Sequence, residues 1–178
     1  MTTGPRTNRA VSVDILTSSY RVVGKVFVSN TGVMGLMNDV TSSFMEIHEA
    51  KLARIHMPTK LADKYKVVRL VKSQVHALCL GRREDLGPQG LARGGYATVT
   101  QYSVRMASQV YEMEGILEWT GRFNFKVIMA EGTRDFVPLY AAQVNGILIP
   151  ALKVNAPAIL FNRKKVDWLG LLKQREEG

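Results

Sequence analysis

Basic side chains are the groups in this sequence whose number and spacing point most directly to a chemistry. Lys51, Arg54, Lys60, Lys64, Lys66, Arg69 and Lys72 fall within 22 residues, and Arg82, Arg83 and Arg93 follow. Such a set neutralises backbone phosphates and gives binding that weakens steeply with salt. Tyr65, Tyr96 and Tyr102 stand close enough in sequence to offer stacking surfaces for unpaired bases. Two basic turns, Lys72-Ser-Gln74 and Asn162 followed by Arg163, Lys164 and Lys165, belong to the same reading. The 178 residues carry a formal net charge of +9, from 24 Lys and Arg against 15 Asp and Glu, a balance that favours acidic partners. The competing reading is that these cations solubilise strand edges and deter aggregation.

Other chemistries have less support. His48, His56 and His76 lack the His-x-x-x-His spacing of a metal site and are read as solvent-facing or strand-edge histidines. Cys79, the one cysteine, sits between Leu78 and Leu80 and reads as a core thiol. A single cysteine forms neither an intramolecular disulfide nor a Cys-rich zinc site, which points to a reducing compartment. Glu112, Glu114 and Glu118 recur at even spacing and read as a solvated strand face rather than an acid and base pair. There is no glycine-rich phosphate loop. The expectation is a non-enzymatic chain without cofactor or metal, with any small-molecule ligand unassigned. No apolar run approaches the roughly 18 residues of a membrane span, and the first ten residues lack a signal-peptide core, so a cytoplasmic location is expected.

These residues need elements to hold them, and 46% hydrophobic with 22% charged residues is a globular composition. The chain repeats itself. Tyr20 and Gly24 recur as Tyr111 and Gly115, and Lys72, Val75 and Leu78 as Arg163, Val166 and Leu169, at an offset of 91; between them Phe44, Ile47, Ala50 and Pro58 recur as Phe136, Leu139, Ala142 and Pro150 at 92. Each copy runs about 59 residues, from Tyr20 to Leu78 and from Tyr111 to Leu169. Apolar and polar residues alternate around Tyr20 to Val28 and Tyr111 to Trp119, which is the period of a half-buried strand. Gly24 and Gly115 within those runs mark a bend or bulge. Further strands are expected at 33–37 and 123–129, at 44–55 and 136–149 (ending before Pro58 and Pro150), and at 66–71 with 75–80 and 158–161 with 166–171. Short helices at 61–66 or 171–177 are a weaker alternative. Five of the 15 glycines lie in 81–95, which reads as a loop, with a strand in 96–104.

The resulting reading is an all-β protein of two tandem five-stranded small barrels related by internal duplication. It comprises an N-terminal arm (1–19), a first barrel (20–80), a glycine-rich linker with a strand (81–110), a second barrel (111–172) and a tail (173–178). Each copy resembles the small SH3-type barrel of the Sm-like kind, through the bent first strand at Gly24 or Gly115, the Phe-x-x-Ile/Leu-x-x-Ala element at Phe44 or Phe136, and a closing strand after a basic turn. The chain departs from that family's pattern in having no glycine after Lys72 or Arg163. The basic clusters and turns point to single-stranded nucleic-acid binding, RNA first, with Lys60, Lys64, Lys66, Arg69, Lys72, Arg82, Arg83, Arg93, Arg163, Lys164 and Lys165 as contacts. The alternative is a structural protein that builds a homo-oligomeric ring or filament. A remote third reading, a cyclic dinucleotide-binding barrel of the PilZ kind, meets an Arg6 and Arg9 spacing one residue too short. The charge divides unevenly: residues 20–80 hold +5, nine cations against four carboxylates, while residues 111–170 hold +1.

Overall fold

The computed structural model describes residues 8–88, 99–132 and 134–172. The first half runs β1 (Arg9–Thr17), β2 (Tyr20–Val28), α1 (Gly32–Asn38), β3 (Phe44–Arg54), β4 (Asp63–Val71), a 3-10 turn (Lys72–Gln74) and β5 (Val75–Leu80). After a 3-10 turn at Arg83–Leu86 the same order returns. It consists of β6 (Val99–Ala107), β7 (Tyr111–Thr120), α2 (Phe125–Ala130), β8 (Phe136–Gly146), β9 (Lys153–Asn162), a 3-10 turn (Arg163–Lys165) and β10 (Trp168–Leu171). Details recur with the order. Thr17 Oγ1 accepts from the amide of Tyr20 at 3.0 Å, and Ser108 Oγ accepts from that of Tyr111 at 3.2 Å, the same hydroxyl-closed turn 91 residues later.

All ten strands join one antiparallel sheet in the order β10-β6-β7-β8-β9-β5-β1-β2-β3-β4. The all-β expectation holds, but the two separate barrels are replaced by one sheet that does not close. The reason lies in the connection after β4. The three-residue turn separates β4 from β5, which pairs with β1 at the other end of its half. The second edge of β5 is filled by β9, with Ala77 opposite Phe161 and Leu80 opposite Ala158.

Three further expectations are corrected. Residues 33–37 and 123–129, read as strands, are largely the helices α1 and α2. Asn124 caps α2 by accepting from the amide of Val127 at 3.2 Å. The stretch read as an N-terminal arm contains β1, the first strand of its half, while β6, the first strand of the other half, forms where a strand is expected within the linker; each is paired along most of its length. Residues 61–66, where a helix was an alternative, lead into β4.

The glycine bends are where the sequence places them. The ladder between β2 and β3 shifts register between Val23 and Lys25, and that between β7 and β8 between Glu114 and Ile116. Opposite them Glu49 (φ 49°) and Ala141 (φ 44°) take up left-handed backbone, again 92 residues apart. A bulge adds twist and curls the strand pair. Only glycine fits at the bend: a Cβ on Gly24 would lie 2.8 Å from the carbonyl oxygen of His48, and one on Gly115 2.7 Å from that of Tyr140.

The curled sheet encloses two apolar clusters. One holds Val13, Ile15, Val22, Met45, Ile47, Leu78 and Leu80; the other holds Met106, Tyr111, Met113, Leu139, Ile159 and Phe161. Neighbouring strand residues point to opposite faces, so β5 sends Leu78 and Leu80 into the first cluster and Ala77 and Cys79 into the second. All six residues of β5 are buried. Replacing Gly24 or Gly115 by Ala is expected to cost about 1–3 kcal/mol through the forced backbone shift, measured by urea unfolding. Gly170→Ala, with open space around it, serves as the control.

Candidate functional site

The two basic turns begin with a cation that faces inward. Lys72 is buried, and its Nζ donates to the carbonyl of Asp39 at 3.0 Å, just past the end of α1. Arg163, its counterpart, is buried as well and donates to the carbonyls of Ile128 (3.3 Å), Glu131 (2.5 Å) and Gly132 (2.8 Å) around the end of α2. Both satisfy carbonyls that a helix leaves unpaired at its C-terminus, where a positive charge is favoured. Burial lowers the Lys72 pKa from its ordinary value, partly offset by nearby Asp39. These two cations, expected as nucleic-acid contacts, therefore act first as helix caps.

The other expected contacts fall in three places. Lys164 reaches Asp135 at 3.3 Å. With half-buried Lys165 and with Lys72 it borders a cleft of about 440 Å³ between the halves. Asn38 in this cleft spans the halves: its side chain donates to the carbonyl of Phe136 at 3.1 Å and accepts from its amide at 3.0 Å. At the second place, exposed Arg82 lies 3.7 Å from Glu84, while Arg83 donates to both carboxylate oxygens of Glu118 at 2.8 and 2.9 Å. The Arg83 guanidinium also lies 3.8 Å above the Tyr140 ring, a cation–π contact joining first half to second.

The third place is the β3/β4 border. Lys60 precedes β4, and Lys64, Tyr65, Lys66 and Arg69 are exposed along it. Arg69 pairs with Glu46 at 3.4 Å. Lys64 stands directly opposite Lys51 in the ladder, an arrangement of like charges that costs stability unless an anion lies near. Among the described residues no ion pair involves Lys51, Arg54, Lys60, Lys64 or Lys66. Tyr65 is open to solvent. Tyr102 is not a free stacking surface, because its hydroxyl donates to the carbonyl of Gly121 at 2.8 Å and its ring packs on Phe123. Arg93, Tyr96, Arg6 and the tail from 173 lie outside the described residues, as does the second part of the expected loop, 89–95.

The remaining candidates are structural. Cys79 is a buried thiol whose pKa burial pushes far up. Glu112 and Glu114 are not merely solvated, since Arg105 pairs with them at 2.6 and 3.5 Å. His48 packs edge-on against Phe27, and His56 is exposed. His76, expected at a surface or strand edge, is instead buried, with Nδ1 2.8 Å from Ser108 Oγ and its ring edge-on to Tyr111. This Ser and His contact has the parts of a nucleophile and base, but both residues are under 4% exposed. Among the described residues no group of three or more His, Cys, Asp or Glu could hold a metal ion, and no helix is long and apolar enough to cross a membrane.

Sequence reasoning missed the two free sheet edges. Among the described residues β4 and β10 each pair on one side only. Between them they expose Tyr65, Val67 and Val71 on one and Trp168 and Leu171 on the other, with Leu172 just beyond. The alternation of β4 was legible, but its edge position depends on which strand β5 accepts. The chain matches no known protein-family model, no curated protein and no solved structure.

His76 supplies a pH prediction. Burial, with Lys165 nearby and Asp167 opposing, lowers its pKa to about 4 from the ordinary 6.5. The unfolded chain then binds a proton that the folded chain refuses, so stability falls as pH drops from about 6.5 to about 4, by at most about 3 kcal/mol. Urea unfolding between pH 7 and pH 4 reads this loss, and His76→Gln should remove that part of the slope.

Proposed function

We propose that this chain is a non-enzymatic assembly module whose two halves are repeats of one small barrel-like unit, and that copies join edge to edge into a homo-oligomer. One observation carries the reading: among the described residues the sheet ends in two strands with one open edge each, of opposite position within the repeat, and both carry exposed large apolar side chains. Unpaired strands template pairing with another chain, and natural proteins usually shorten, cover or interrupt them. β4 has nine residues without a proline. Its pairing with β10 of a second copy is head to tail, which yields a ring where the rotation closes and a filament where it does not.

The test is mass in solution by light scattering and sedimentation. The native chain is expected to run as a multimer of its 19.8 kDa protomer. Val67→Glu or Trp168→Glu should each give a monomer, and an equimolar mixture should stop at a dimer, since each variant keeps one good edge. A native chain that stays monomeric at micromolar concentration overturns the reading.

The cluster of Lys51, Arg54, Lys60, Lys64 and Lys66, without carboxylate partners among the described residues, supports a second reading, single-stranded nucleic-acid binding along the β3/β4 border with Tyr65 as a stacking surface. Fluorescence anisotropy with single-stranded RNA and DNA at two salt concentrations tests it. Each of Lys51→Gln, Lys64→Gln and Lys66→Gln should flatten the salt dependence by about 0.7 in the logarithmic slope. Binding that ignores salt, or none at low salt, discards it.

A further inference from the structure

We infer that the joint between chains repeats the internal seam between β5 and β9 residue for residue, with β10 of one copy seated on β4 of the next. The inference rests on the assembly reading above and deepens it by fixing the register and the residues covered. The seam is a template because it is itself a junction of the last strand of one half with the fourth strand of the other. Moving each seam residue by the repeat offset of 91 gives the pairs Trp168 with Leu70, Leu169 with Arg69, Gly170 with Val68 and Leu171 with Val67, from Ala77 with Phe161 through Leu80 with Ala158.

Exposure supports this mapping. At the seam the second half lends Phe136 and Ala158 to the first cluster, the first half lends Ile55 and Ala77 to the second, and Tyr111 lies across the junction with its hydroxyl donating to the carbonyl of Thr17. Those five residues are 0–9% exposed. Their counterparts in the repeat are Phe44, Val67, Ile147, Trp168 and Tyr20, and these are 37–47% exposed. At these five positions an apolar side chain that one half hides in the other is left uncovered where no neighbour is present, while the counterpart of Leu16, Ala107, is buried within its own half. The faces agree as well. Val68, Leu70 and Leu169 already pack on their own clusters, as Ile159, Phe161 and Leu78 do, so Trp168 opposite Leu70 and Val67 opposite Leu171 would extend those clusters as Ala77 and Ala158 do at the seam. No like charges meet in the four pairs.

Directed cross-linking tests the register. Chains carrying Gly170→Cys are mixed with chains carrying Val68→Cys, and Leu169→Cys with Arg69→Cys, then oxidised and run on non-reducing gels. Partners displaced by two residues, Gly170→Cys with Leu70→Cys, are the control. Disulfides need closely placed Cβ atoms, so in-register pairs should form covalent dimer roughly tenfold faster than the displaced pair. Buried Cys79 stays in place, with the native chain as blank. A native multimer whose in-register pairs do not outpace the displaced pair overturns the inference and leaves the assembly reading standing. A native chain that is monomeric overturns both.

Discussion

The structure depends on β5 being buried from both faces and both edges. Its six residues lie between β1 and β9, and its alternating side chains serve two cores at once. Each fully buried Leu contributes about 1.5–3 kcal/mol relative to exposure, so a single short strand ties the stability of one half to that of the other. Polar contacts cross the seam beside it. Tyr111 bonds the Thr17 carbonyl, Asn38 bonds the Phe136 backbone, and Arg83 binds Glu118 beneath the Tyr140 ring. Each of these contacts links the two halves, which is why the halves form one sheet rather than two barrels.

Curvature is the second requirement, and the two halves meet it alike. A flat ten-stranded sheet would expose one side of every strand; bending lets each half wrap its own cluster. Gly24 and Gly115 permit the close approach of the neighbouring strand, and Glu49 and Ala141 absorb the extra residue in left-handed backbone. α1 and α2 then cover one end of each curled unit, held there by the inward cations Lys72 and Arg163. The basic residue at the start of each 3-10 turn is in this sense a part of the fold.

Much of this was legible in the sequence, and the misses have physical causes. The offsets of 91 and 92, the bends at Gly24 and Gly115, and the strand ends near Pro58 and Pro150 follow from side-chain period and backbone restriction, which are local. The helices were missed because six or seven residues span under two turns, too few to display a 3.6 period, and Phe123, Phe125, Val127 and Met129 alternate as a strand would. The side chain of Asn124 was the available signal for α2. β1 falls in the stretch expected as an arm because the repeat match starts only at Tyr20, although Val11, Val13 and Ile15 alternate; its counterpart β6 lies where a strand is expected in 96–104. Lys72 and Arg163 misled for another reason: sequence shows a charge but not the carbonyls it faces. Which strand would occupy the free edge of β5 is a tertiary choice that no local pattern states.

The uneven charge takes on a meaning once the edges are known. Lys64, Lys66 and Arg69 all lie on β4, the exposed end strand of the half that carries +5. Two β4 strands meeting in antiparallel register would bring these cations together, and like charges placed opposite in a ladder are repulsive. β10, by contrast, offers Trp168, Leu169, Gly170 and Leu171 without a charge. Under the assembly proposal the lysines penalise the symmetric pairing of like edges and leave the head-to-tail pairing open, so specificity comes from making the wrong partner costly. Lys64 and Lys66 would then border each joint on its solvent side, and an anionic polymer would meet one such group per chain along the assembly. Self-association and nucleic-acid binding, which began as competing accounts of a basic sequence, become compatible uses of one edge, with apolar residues making the joint and the cations excluding its alternatives.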